Sequence, residues 1–117
     1  MEPVNIEAVL IEWLSARLSI AAYADVPNER PRRFLTVERV GGGGESPVVD
    51  RPRVAVQCWA ESRALAADLA MQVSGQVMYM TGIPRVAKAT RGSVVNFPDL
   101  IGGNPRYQVV LDLVTTQ

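Results

Sequence analysis

The sequence predicts an α+β domain: a two-layer sandwich of a four-stranded antiparallel sheet with two helices on one face, ordered α-β-β-α-β-β, with residues 1–117 as one domain. Three observations predict it. Arg53 to Met80 reads as a strand running straight into a long helix. In RVAVQCWA, Val54, Val56 and Cys58 share one face and Ala55, Gln57 and Trp59 the other; in the next stretch Leu65, Leu69, Val73 and Val77 step by four. Arg106 to Thr115 alternates as cleanly, with Tyr107, Val109, Leu111 and Leu113 on one face. A glycine-rich stretch and the segment NFPDLIGGNP each join two strand-like runs, which gives two hairpins. Two hairpins and two amphipathic helices pack as two layers.

In chain order, the first helix spans about residues 6–19. Asn5 suits the N-cap, Glu7 the positive end of the dipole, and Val4 and Val9 a hydrophobic staple. Ile6, Val9, Leu10, Trp13, Leu14 and Leu18 form its apolar stripe, while Glu7, Ser15 and the flank around Glu12 face out; Trp13 is expected as a core anchor. Tyr23 to Pro31 is a connection, because PNERP cannot sit inside a helix. Phe34 to Val40 is the first strand. Gly41 to Asp50 is a hairpin loop, longer than the usual ~2–5 residues and not a phosphate loop, since no Gly-Lys-Ser/Thr follows.

The second helix starts at a Ser62 cap and, if helical over 62–80, is ~28 Å long. Gly75 lies inside it at a cost of about 1 kcal/mol relative to Ala, which a close backbone approach, as to the first helix, would explain. Thr81-Gly82-Ile83-Pro84 stops it, with Gly82 in the left-handed capping role. Arg85 to Thr90 is a strand that Val94-Val95 resumes after a bulge.

Composition narrows the function classes. Hydrophobic residues at 48% and charged residues at 21% fit a globular chain. Zero formal net charge implies no bulk attraction to nucleic acid or an anionic membrane. With no histidine and one cysteine, a Ser-His-Asp arrangement is impossible and zinc lacks its usual ligands. Cys58, on the apolar face of its strand, is expected to be buried and inert. No carboxylate pair falls in a suggestive motif, so no catalytic, cofactor or metal residue is assigned. No apolar run is long enough to span a membrane and no signal peptide is read, so a cytoplasmic protein is expected.

What remains is protein–protein contact. Arg30, Arg32 and Arg33 form either a solvated strand start or a docking patch for an acidic partner. Gly41, Gly42, Gly43 and Gly44 give a hairpin of low order in the free subunit; Pro47, Val48 and Val49 suit an extended segment laid along a neighbour's strand. The alternative is a merely tolerated surface loop. Arg51, Arg53 and Arg106 stand at strand starts, where they could pair with a neighbour's carboxylates. Phe97 and Asp99 belong to a loop whose apolar residues, Leu100 and Ile101 among them, either fold back on the core or dock on something. The sheet face opposite the helices carries Gln57, Trp59, Val110 and Val114, apolar for a face left to water.

Over residues 31–114, the segments PRRFLTVERVGGGGESPVVDRPRVAVQCWAESRALAADLA and VNFPDLIGGNPRYQVVLDLV resemble the tail terminator (tail completion) proteins of long-tailed bacteriophages, especially those infecting actinobacteria. The marks are the FLTVERVGG strand and turn, the DRPRVAVQCWA strand, the alanine-rich helix and the NFPD…PRYQ lead into the last strand. The resemblance implies a small α+β subunit forming a hexameric ring that caps the tail tube at its head-proximal end. It implies as partners other copies of the chain, the major tail tube protein and head-completion proteins. DNA would pass through the lumen unread, and no cofactor is implied. Outside the family, a neck or head-completion protein or a small cytoplasmic binding domain are the other readings.

Overall fold

The computed structural model describes residues 4–43, 46 and 48–116. Helix α1 is Ile6–Leu18, capped as expected by Asn5, whose Oδ1 accepts the Ala8 N–H at 3.3 Å. Ser19 ends it in the left-handed region (φ 51), giving its N–H to Ser15, and the chain turns at once into a three-residue strand, β1 (Ala21–Tyr23). β1 pairs parallel with β2 (Phe34–Gly42), Ala21 opposite Phe34. The expected four-stranded antiparallel sheet is therefore a larger, mixed one, because this short parallel strand carries no alternation of its own.

β2 pairs antiparallel with β4 (Pro52–Trp59), and β4 with β6 (Arg106–Thr116), which also carries β5 (Val86–Asn96) along its far edge. The sheet order is β1-β2-β4-β6-β5. β3 (Val49–Asp50) pairs with Thr116 and Thr115 of β6 in the register that β4 continues, Asp50 opposite Thr115 and Arg53 opposite Asp112. β3 and β4 thus keep one register along β6 with a break at Arg51, just before Pro52, which has no N–H to donate.

Both helices lie on one face, as expected. Leu35, Val37, Val54, Val56, Cys58, Val109, Leu111 and Leu113 point into the layer formed by Ile6, Leu10 and Leu14 of α1 and by Leu69, Ala70 and Val73 of the second helix. Full burial of each large aliphatic contributes ~1.5–3 kcal/mol. That second helix, α2 (Arg63–Gln76), starts at Ser62, whose Oγ accepts the Leu65 N–H at 3.2 Å. It does not run to Met80. A 3-10 segment, Val77–Gly82, takes over, because three residues per turn bring Val77, Met80 and Ile83 to one face, and all three are buried.

Other expectations are corrected. Gly82 keeps an ordinary backbone, and the left-handed residue is Arg85 (φ 69), whose carbonyl accepts the Thr116 N–H at 2.8 Å. Gly75 is exposed, and a Cβ built there meets no atom within 4 Å, so no close approach to α1 explains it. Trp13 is half-buried at the core's edge, with the Arg17 guanidinium 5.1 Å from its ring centroid. Glu7 does not simply face out: its Oε2 accepts the Arg39 N–H at 2.7 Å.

Candidate interaction surface

The loop between β5 and β6 is organised by Asp99. Its Oδ1 accepts the N–H groups of Ile101 (3.2 Å) and Gly102 (3.1 Å), and its Oδ2 the Asn104 side-chain amide (3.3 Å). Its backbone carbonyl accepts from Gly103 at 2.7 Å, and its own N–H gives to Asn104 at 3.1 Å. The Gly102 hydrogen bond first, then Asn104, hold the carboxyl below the usual carboxylate range. Glycines are required here. A Cβ on Gly102 would lie 2.5 Å from Asp99 Oδ2, and Gly103 has φ +70. This closed loop does not fold back on the core: Leu100 is 90% exposed and Ile101 102%. Below it, a cleft of about 320 Å³ is bounded by Pro98, Asp99, Leu100 and Arg63, the first residue of α2.

Beside the loop, the sheet face away from the helices is closed by arginine. Trp59 stacks on Phe34 (centroids 5.4 Å, planes 6° apart) and gives its indole N–H to Thr36 Oγ1 at 3.0 Å. The guanidinium groups of Arg30 and Arg106 lie 5.2 and 4.9 Å from its ring centroid, leaving Trp59 only 4% exposed. Arg106 also lies 4.7 Å from the Phe97 ring centroid and donates to the Phe97 carbonyl at 2.7 Å. Of the apolar residues expected on this face, Trp59 is thus covered within the chain, while Val110 and Val114 are half-buried. At its centre Gln57 donates to Gln108 at 2.6 Å while its own Oε1 is buried without a partner.

At the opposite end of β2 the Gly41–Asp50 loop is partly tied down. Gly41 and Gly42 extend β2, opposite Arg53 and Pro52, rather than forming a loose loop. Gly43 meets nothing within 4 Å of a built Cβ; Gly44 and Pro47 lie outside the described residues. Val49 is paired with Thr116 of its own chain, so it has no free edge to lend a neighbour on that side. Val48 is exposed. Arg39 gathers the loop, donating to both oxygens of Asp50 and to the carbonyls of Gly41 and Gly42.

Of the other arginines assigned from sequence, Arg32, Arg33 and Arg51 are exposed. Arg53 pairs with Asp112 of its own chain at 2.9 Å, and Arg106 is spent on Phe97 and Trp59. The assigned residues thus fall at two ends of the sheet, Phe97, Asp99 and Arg106 with Arg32 and Arg33 at one, the glycine hairpin with Arg51 and Arg53 at the other.

Sequence reasoning missed a second exposed apolar patch. Met71 (58% exposed), Met78 (74%) and Tyr79 (51%) lie on the solvent side of α2 and the 3-10 segment. The signal was present: Met71, Gly75 and Met78 follow i, i+4, i+7 spacing off the Leu65–Leu69–Val73 stripe. The Arg17 guanidinium stands 5.0 Å from the Tyr79 ring centroid and donates to Gln76 at 2.9 Å, fixing that side of the patch.

Among the described residues, no three His, Cys, Asp or Glu side chains converge as a metal site, and no helix is long and apolar enough to cross a membrane. Burial pushes the Cys58 thiol up to about 12, so it is neutral near pH 7. Compared with models of protein families and with curated proteins, the chain matches none.

Proposed function

We propose that this protein is a structural subunit of a bacteriophage tail. Copies form a ring, hexameric in the family the sequence resembles, that caps the tail tube, ends its growth and offers the surface for head joining. Its partners are then its own copies, the major tail tube protein and head-completion proteins. DNA passes through the lumen without specific contacts, the role is not enzymatic, and no cofactor takes part. The site of action is the head-proximal end of the virion tail, after assembly in the host cytoplasm.

The observation that carries this reading is the pinned loop with Leu100 and Ile101 held out in solvent. Large exposed apolar anchors on a rigid support suit protein–protein contact. Two helices on one face of the sheet also agree with the small α+β subunit that the resemblance implies.

Electron microscopy of the purified chain, alone and with isolated tail tubes, tests the reading. Rings at tube ends, and capture of the chain by tubes rather than by capsid portals, are expected. Capture by portals alone would move the protein to the head side of the joint. A chain that stays monomeric with tubes present would overturn the proposal.

A further inference from the structure

Two exposed apolar features of this chain lie at opposite ends of α2. The Leu100–Ile101 loop shares a cleft with Arg63, where the helix begins. The Met71–Met78–Tyr79 patch lies toward and beyond its end at Gln76. A 14-residue helix is ~21 Å long, so the loop cannot cover the patch within one chain.

The patch has a bare position at its centre. Gly75 lies one helical turn from Met71 and one from Met78, with Tyr79 beside it. It is exposed, and nothing within 4 Å would meet a Cβ there. Glycine inside an exposed helix weakens the helix, and no contact among the described residues requires it. The absence of a side chain leaves a depression between two methionines, which adapt their shape to whatever enters.

We propose that Leu100 and Ile101 of one copy seat in the Met71–Gly75–Met78 socket of the next. This deepens the ring reading and rests on it for the premise that copies of the chain meet. A second copy is the occupant because knob and socket are on the same chain at separate places. Used once by each copy in the same direction, such a contact is head-to-tail, and it makes a ring when its rotation closes. The knob is preorganised by Asp99, so little loop freedom is lost on docking.

The area involved sets the strength. Phe97, Leu100 and Ile101 with Met71, Met78 and Tyr79 expose on the order of 900 Å² together, below the ~1,200–2,000 Å² of a standard stable pair. One contact alone is weak, and the chain stays mostly monomeric until closure of the ring, or a tube end, adds further contacts.

Cysteine cross-linking tests the contact, because Cys58 is buried and leaves a silent background. Ile101→Cys and Met78→Cys chains, mixed under assembling conditions, should cross-link to each other and not each to itself. Gly75→Gln fills the socket with a good helix former. It should raise the melting temperature by roughly 3–6 °C while weakening association at least tenfold. Rings that form without the Ile101–Met78 cross-link, or that Gly75→Gln leaves unaffected, overturn this contact and leave the ring reading standing. Cross-linking of Ile101→Cys to a tube or head protein instead of Met78→Cys also overturns it. A monomer under all conditions, tubes included, removes both. The cross-link in a chain that never caps tubes keeps the contact and removes the tail reading.

Discussion

The Arg39 guanidinium grips the Asp50 carboxylate at two points, Nη1 to Oδ2 at 2.6 Å and Nη2 to Oδ1 at 2.9 Å, across the open end of the glycine hairpin. Both side chains are about a quarter to a third exposed. Asp50 is thereby held below the usual carboxylate range, first by the Arg39 hydrogen bonds. A carboxyl lowered in the folded state stabilises the fold above its unfolded pKa and loses that contribution as pH falls through the lowered value. Acidification below about pH 4 should therefore weaken the hairpin. Asp50→Asn should cost about 1 kcal/mol at pH 7 and flatten the acid limb of the stability curve. Urea titrations at pH 7 and pH 3 check both, and an unchanged acid limb would show that the pair contributes nothing.

Only one of the described hairpin glycines is required by the backbone. Gly42 has φ +82, and a Cβ there would lie 2.0 Å from the Arg51 carbonyl oxygen. At Gly41 and Gly43 a Cβ meets nothing within 4 Å. Gly42→Ala should cost 2 kcal/mol or more, roughly, since strain and clash add. Gly41→Ala and Gly43→Ala should stay within about 0.5 kcal/mol of the parent. Equal effects at all three positions would mean that the turn does not have this shape.

Arg85 carries the opposite error, a bulky residue where glycine would rest (φ 69). Arg85→Gly should stabilise the chain by about 0.5–1 kcal/mol, since the left-handed region costs an L-residue ~1–2 kcal/mol and glycine's added unfolded-state freedom returns part of the gain. Thermal melts decide it, and a loss of stability would mean that the Arg85 side chain has a role its exposure hides.

Burial of Cys58 behind both helices gives a pH dependence of the other sign. Its thiol is raised from 9.0 to about 12 by desolvation, so the folded state keeps a proton that the unfolded chain releases. Its contribution is complete below about pH 9 and is lost as pH rises toward 12. Thiol labelling should be slow at pH 8 and limited by opening of the fold. Cys58→Ser should lower stability without changing assembly. Rapid labelling of the native chain would place the thiol at the surface.

Local chemistry made much of this fold legible. Both N-caps, Asn5 and Ser62, act on groups three residues away, and the alternation of Val54, Val56, Cys58 and of Val109, Leu111, Leu113 needs only one strand each. What escaped depended on distant partners. Ala21–Tyr23 becomes a strand only because β2 accepts it in parallel, and Val49 because Thr116 lies opposite. The sequence could not tell that Arg30 and Arg106 would cover Trp59, since one guanidinium arrives from the loop before β2 and the other from the first residue of β6. Gly82 carried a stop signal, yet the left-handed turn fell three residues later, where β5 must meet β6 through the Arg85 carbonyl. Of the assigned contact residues, Phe97 and Asp99 belong to the loop of most interest, but the socket residues Met71 and Met78 were passed over beside the stronger leucine stripe.

Asp99 separates a structural loop from a functional one. It accepts from two backbone amides and the Asn104 side chain, yet its loop lies outside the core. Asp99→Ala should therefore leave global unfolding nearly unchanged. It should instead release the amides of Ile101 and Gly102 to exchange with solvent, and Leu100 and Ile101 would lose their fixed posture. If that posture is what a partner binds, tube capping and ring formation should fall while the melting temperature holds. Asp99→Asn keeps one acceptor oxygen and should retain part of the effect. The pH profile has the same origin: the carboxyl is lowered, chiefly by the Gly102 hydrogen bond, so loop order persists at pH 5 and is lost as pH falls through the lowered value. Hydrogen exchange resolved to Ile101 and Gly102, set beside a capping assay, checks the pair of outcomes. Normal capping by an Asp99→Ala chain whose amides exchange freely would show that the fixed loop is dispensable for assembly.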